Sequence, residues 1–139
     1  MNYQLYKLIN DYTYYIREKC LLNTPINIFE LLDKLNISYV ENNKLDTYAQ
    51  LIDNCIYYYN KDYYTKFFIC CELAKKLLQT NNNFIINEFA VSLLVPTGEL
   101  SQYLDKYNFD YKSIASIFDV SPRVIRIRSE VLIKNNLLF

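Results

Sequence analysis

The sequence predicts a helix-rich α+β domain with a small antiparallel or mixed sheet. Three observations predict it. Apolar residues recur at helical spacing near the start and again through the second half of the chain. Two β-rich runs lie between these stretches, around Asp53-Asn54. The three Pro (25, 96 and 122) stand where one pattern gives way to the next. Helices, then strands, then helices is the order of an α+β domain with segregated elements.

Leu5, Ile9, Tyr12 and Ile16 share one face of an amphipathic helix near 3–21, and Pro25 interrupts the helical pattern. Asn27 reads as an N-cap, with Glu30 three residues on completing a capping-box pattern. Ile28, Leu31, Leu32 and Leu35 then give the buried stripe of a second helix, and Ile37 to Val40 a short strand. Thr47 to Ile52 and Cys55 to Tyr59 read as a hairpin turning at Asp53-Asn54. In an alternating strand, Tyr57, Tyr58 and Tyr59 place at least one ring in solvent. From Asp62 to about Gln79 the period becomes helical, with Phe67, Cys70, Cys71, Ala74, Leu77 and Leu78 on the apolar face. Phe84 to Val95 reads as a buried helix ended by Pro96, and Thr97 as the cap of a short helix to Leu104. Tyr111 to Phe118 and Pro122 to Asn135 close the chain as two helices, Ser121 capping the second and Pro122 in its first position.

The 139 residues suffice for one core, and the whole chain, 1–139, reads as one domain with an N-terminal helix segment (1–24) and a closing helical pair (111–139). Lys+Arg and Asp+Glu balance at 15 each, which leaves no overall attraction to nucleic acid or anionic membrane. No apolar run approaches the ~20 residues that span a bilayer, so no membrane partner is expected. Met1 to Tyr6 lacks a basic-then-apolar signal pattern, and Cys20, Cys55, Cys70 and Cys71 lack CxxC spacing. Reduced thiols and a cytoplasmic location are therefore expected. Fifteen Tyr, one Gly and abundant Asn have two accounts. One is AT-rich coding in a low-GC bacterium or its phage; the other is an aromatic recognition surface.

Cys71-Glu72-Leu73-Ala74-Lys75 has the spacing of His-Glu-x-x-His, in which two His one helical turn apart hold zinc and the Glu activates its water. The chain has no His, and only the Glu is present. The surroundings extend the likeness. Lys66 to Lys75, Lys-Phe-Phe-Ile-Cys-Cys-Glu-Leu-Ala-Lys, looks like the Arg-Phe-Thr-x-Ala-His-Glu-Leu-Gly-His of the ImmA/IrrE family of metallopeptidase-like proteins. Phe89-Ala90-Val91-Ser92-Leu93-Leu94-Val95-Pro96 is similar to its Phe-Ala-x-x-Leu-Leu-Met-Pro. Thr24 to Tyr39 resembles its opening helix and first strand, and Ile114 to Ser121 with Arg128 its closing segment. The resemblance covers about Thr24 to Arg128 and implies a zincin-like fold.

Departures fall on the chemistry. The family's third ligand, a Glu six residues before the Phe-Ala pair, is Asn83 here. Glu88 lies about 140° further round the helix and cannot take its place. A thiolate at Cys71 suits zinc, but a protonated lysine at 75 offers no lone pair. Cys70 points about 100° away from Cys71. No metal and no cofactor are therefore expected, and Cys71, Glu72, Lys75 and Asn83 read as vestigial active-site positions. Lys75 either stands in for the ion beside Glu72 or forms an ordinary solvated pair with it. Cys nucleophile chemistry lacks a His partner, and a single Gly rules out a Gly-rich phosphate loop.

Ile114 to Arg126 also reads as a helix-turn-helix, with Arg123, Arg126 and Arg128 as nucleic-acid or partner contacts. The same segment, packed on the domain, would bury Ile114, Ile117, Val120, Val124, Ile127 and Val131 and leave Arg123 and Arg126 solvated. The leading expectation is a catalytically inactive metallopeptidase-like protein, not an enzyme, that acts by protein binding. The resemblance implies a regulatory partner of the phage or mobile-element repressor kind, itself a helix-turn-helix protein. The alternatives are a DNA-binding transcriptional regulator using the C-terminal segment, and an assembly protein using the Tyr-rich middle as an oligomer surface.

Overall fold

The computed structural model describes residues 3–62 and 64–136. Residues 1–2, 63 and 137–139 lie outside that part, and with them the expectations for the first two residues and for the last three of the closing segment. The described chain is helix-rich α+β. Helices α1 (Tyr3–Lys19) and α2 (Ile28–Lys34) precede strands β1 (Ser38–Glu41), β2 (Ala49–Ile52) and β3 (Cys55–Tyr58). Helices α3 (Tyr64–Leu78), α4 (Asn83–Leu94), α5 (Thr97–Lys106), α6 (Tyr111–Phe118) and α7 (Pro122–Lys134) come after the sheet.

The sheet is mixed, in order β1-β3-β2. β2 and β3 are the expected hairpin, with Leu51 opposite Ile56 and Ile52 opposite Cys55. Asp53 and Asn54 both take positive φ, 48° and 64°, as a two-residue primed turn requires. β1 joins β3 in parallel, Tyr39 opposite Ile56. Tyr57, Tyr58 and Tyr59 are all half-buried, so none of the three rings stands free as alternation alone predicts. Tyr58 packs on Phe29 (ring centroids 5.1 Å apart) and faces Tyr39 (6.4 Å), because α2 covers that side of the sheet.

Helix α3 is the centre of the molecule. Every residue from Ile69 to Ala74 is buried, so this stretch of the helix is enclosed all round rather than amphipathic. It packs against α4, against β2 and β3, and against α2, while α4 packs in turn on α1. The link 79–82 is too short for anything but an antiparallel α3–α4 pair. Phe89, Leu93, Ile69, Leu73, Leu31 and Ile56 are fully buried in one core that also takes in Ile114, Phe118 and Ile125 from α6 and α7.

Local signals hold, with three corrections. Asn27 caps α2 through the N–H groups of Phe29 and Glu30, but the Glu30 carboxylate goes forward to Lys34 at 2.8 Å instead of back to the cap. The N-cap of α5 is Pro96, without a side-chain cap bond, and Thr97 is the first helical residue; its hydroxyl is drawn into the core by Tyr6 and Asn10. The buried face of α1 includes Tyr6, Thr13 and Arg17 beside Ile9 and Ile16, whereas Leu5 and Tyr12 are only half-buried. Polar partners on α4 and α5 rotate that face away from the purely apolar stripe.

Candidate functional site

Cys71, Glu72 and Lys75 sit where α3 runs between α4 and the β2 edge. Cys71 and Glu72 are each 6% exposed. The Glu72 carboxylate has two partners. Oε1 accepts the backbone N–H of Leu51 in β2 at 2.9 Å, and Oε2 pairs with Lys75 Nζ at 2.7 Å. Leu51 belongs to the outer strand of the sheet, and its N–H has no strand partner on that side. The carboxylate therefore closes the sheet edge onto the helix, and the lysine neutralises it. The lysine of this pair is 40% exposed and its carboxylate only 8%.

The neighbour of Cys71 on α4 is Asn87, not Asn83. Cys71 Sγ lies 4.0 Å from Asn87 Oδ1. Asn83 is the first residue of α4 and is exposed, one turn further from Cys71 along the antiparallel pair. Burial pushes the Cys71 thiol up to about 12, with the Glu72 charge adding to the shift and Lys75 opposing it. Burial also raises the Cys70 thiol, and Cys70 is completely enclosed.

These residues do not fit zinc. The charged nitrogen of Lys75 is committed to Glu72, and the oxygen facing the Cys71 sulfur is a neutral amide. Among the described residues no group of three His, Cys, Asp or Glu comes together to ligate a metal. Each oxygen of the Glu72 carboxylate thus has one partner, the Leu51 N–H on Oε1 and Lys75 Nζ on Oε2.

The C-terminal arginines separate. Arg123 and Arg126 are exposed on α7. Arg128 is not a contact residue: it is 4% exposed and its guanidinium forms an ion pair with the buried Glu88 of α4, one bond reaching Oε2 at 2.9 Å. Its other terminal nitrogen donates to Asn10 Oδ1 at 3.1 Å and Thr97 Oγ1 at 3.3 Å. Arg128 lies about 140° round the helix from Arg123 and so falls on the inner face. Ile127 is a second correction. It is 45% exposed, on the outward face with Arg123 and Arg126, while Ile114 and Ile125 are fully buried and Ile117, Val120, Val124 and Val131 half-buried.

The α6–α7 corner is short and well defined. Asp119 ends α6 in the left-handed conformation and Ser121 caps α7 through Val124 N–H at 3.3 Å. Lys66 of α3 is nearly buried, 11% exposed, and lies 3.6 Å from Asp119; burial lowers its pKa, with Asp119 working against the shift. The corner is thus tied to α3 by one ion pair and α7 to α4 by another.

The sequence reading missed a buried polar seam between α1, α4, α5 and α7. Tyr6 OH bonds Thr97 Oγ1 at 3.0 Å, Thr13 Oγ1 donates to Ser92 Oγ at 3.0 Å, and Asn10 Nδ2 donates to Glu88 Oε1 at 3.1 Å. Arg17 donates to the Leu93 carbonyl at 2.7 Å and lies 3.6 Å from Glu99. One signal was present: Asn10, Thr13 and Arg17 recur three or four apart beside Ile9 and Ile16, and polar groups on a buried stripe need partners.

No family model matches the chain, and no curated protein does. Among solved structures it is similar to a Mycobacterium tuberculosis transcriptional regulator, with TM-score 0.67 and 13% identity over 88% of this chain. The chain spans 45% of the length of that protein. At this identity the likeness is one of fold. No helix among the described residues is long and apolar enough to cross a membrane.

Proposed function

We propose that this protein regulates transcription by binding and carries out no hydrolysis, as a remodelled relative of the ImmA/IrrE peptidase-like proteins. The observation that carries the non-catalytic part is the double engagement of Glu72 by Leu51 N–H and Lys75. The ordered likeness of Lys66 to Lys75 and of Phe89 to Pro96 supports the family reading. The transcriptional description of the structural neighbour supports the regulatory one.

Two routes of binding stand. Direct DNA contact is the one that description favours. The α6–α7 pair has a three-residue turn, and the first two turns of α7 present Arg123 and Arg126 outward, the part of a second helix that enters a major groove. Arg128 is lost to this reading, and zero net charge leaves the contact to a local patch. The other route is capture of a helix-turn-helix repressor on the surface over the remodelled cleft.

One experiment separates them. Anisotropy titration against DNA from the protein's own promoter region gives sub-micromolar, salt-dependent binding that Arg123→Ala and Arg126→Ala abolish, if DNA is the partner. Salt-insensitive or absent DNA binding, with stoichiometric complex formation by a repressor from the same genome, selects the protein route. Peptide hydrolysis that Glu72→Gln removes would overturn the non-catalytic reading under both.

A further inference from the structure

Gly98 is the chain's single glycine, and neither backbone nor packing requires it. Its φ is not positive, and a Cβ added there would meet nothing within 4 Å. It is the second residue of α5, although glycine is a poor helix former. What Gly98 does is line a half-enclosed cavity of about 310 Å³ between α1 and the α4–α5 corner. This cavity shares no residue with Cys71, Glu72, Lys75 or Asn87.

We infer that this cavity binds a small uncharged aromatic molecule bearing one hydrogen-bonding group, of the phenol class. The volume lies at the small end of the range for small-molecule sites. Tyr3 and Tyr14, residues 59% and 63% exposed, border it, and Pro96 forms another wall, so flat apolar surfaces are on offer for ring packing. Thr13 and Ser92, each 2% exposed, also line it. Ser92 accepts from Thr13 and donates to the Phe89 carbonyl, which leaves lone pairs on both hydroxyls for an incoming O–H.

The charge arrangement selects against ions. Lys7 and Asp11 line the cavity as a pair 2.7 Å apart. Glu88 and Arg128 neutralise one another behind Asn10. A charged ligand would therefore lose water without gaining an unpaired countercharge. Asn10 and Thr97 line the cavity and also hold Arg128, so the cavity wall and the anchor of α7 share two side chains.

The test is an amide NMR titration of the full chain with p-cresol, alongside benzoate and benzylamine. Saturable shifts at Asn10, Thr13, Ser92 and Gly98 are expected, with p-cresol binding at least tenfold tighter than either ion. Gly98→Leu, whose Cβ meets nothing within 4 Å, should weaken p-cresol at least tenfold with no fall in melting temperature. Tyr14→Ala, at an exposed position, should weaken it about threefold or more. Absence of saturable shifts at those amides, equal binding of the ions, or unchanged affinity in both variants would overturn the inference.

Discussion

The Glu72 carboxylate accepts the backbone N–H of Leu51 at 2.9 Å, which joins the central helix to the outer strand of the sheet. The residue that would be a base in a zinc hydrolase is here a strand partner. Glu72→Ala leaves a partly buried N–H without an acceptor, and stability should fall by about 1–3 kcal/mol. Glu72→Gln keeps an acceptor and should lose less. Urea denaturation measures both, and amide exchange at Leu51 should quicken in the Ala variant. An Ala variant as stable as the parent would remove the strand-closing role.

Arg128 and Glu88 form the most enclosed ion pair described, with side chains 4% and 9% exposed. Breaking such a pair leaves a buried charge, and Arg128→Met should cost roughly 3–5 kcal/mol. Arg128 Nε has no partner of its own, so the intact pair is itself imperfectly satisfied. The double change Arg128→Met with Glu88→Leu should therefore recover much of the loss. Equal instability of single and double variants, read by thermal melts, would contradict this.

Arg123 and Arg126 are exposed, so alanine at either should alter stability by no more than about 0.5 kcal/mol. A DNA partner, in contrast, would be bound at least tenfold more weakly by either variant, with a shallower salt dependence. A large stability loss in either variant would mean that these side chains serve packing, contrary to their exposure.

Cys71 gives a pH signature. Burial holds its folded pKa at about 12, against a reference of 9.0. The folded state keeps a proton that the unfolded state releases above pH 9. The contribution of this group to stability is therefore complete below pH 9 and is lost as pH rises toward 12. Urea midpoints at pH 8, 9 and 10 should decline, and Cys71→Ala should flatten part of that decline. Iodoacetamide at pH 8 should spare Cys70 and Cys71 in the native protein and reach the half-buried Cys55 first.

The two kinds of information divide along a physical line. Local chemistry was legible. Asp53-Asn54 announced a primed turn, Asn27 a cap, Ser121-Pro122 the start of α7, and the spacing around Phe89 a buried helix, because each depends on residues within one or two turns of chain. The parallel β1–β3 pairing was not legible, since it joins strands separated by β2 and depends on how α2 covers them.

The candidate site divides the same way. The sequence by itself determined that the residues at 75 and 83 were poor zinc ligands, a matter of side-chain chemistry alone. Only the tertiary structure decided the rest: that Asn87 faces Cys71, that Glu72 serves the backbone of β2, and that Arg128 is an interior charge while Arg123 and Arg126 are not. Helical periodicity places these arginines on different faces but cannot say which face is inward when the inner partner is a carboxylate 40 residues away. Burial of a polar side chain is settled by the partner that satisfies it, and that partner is supplied by the fold.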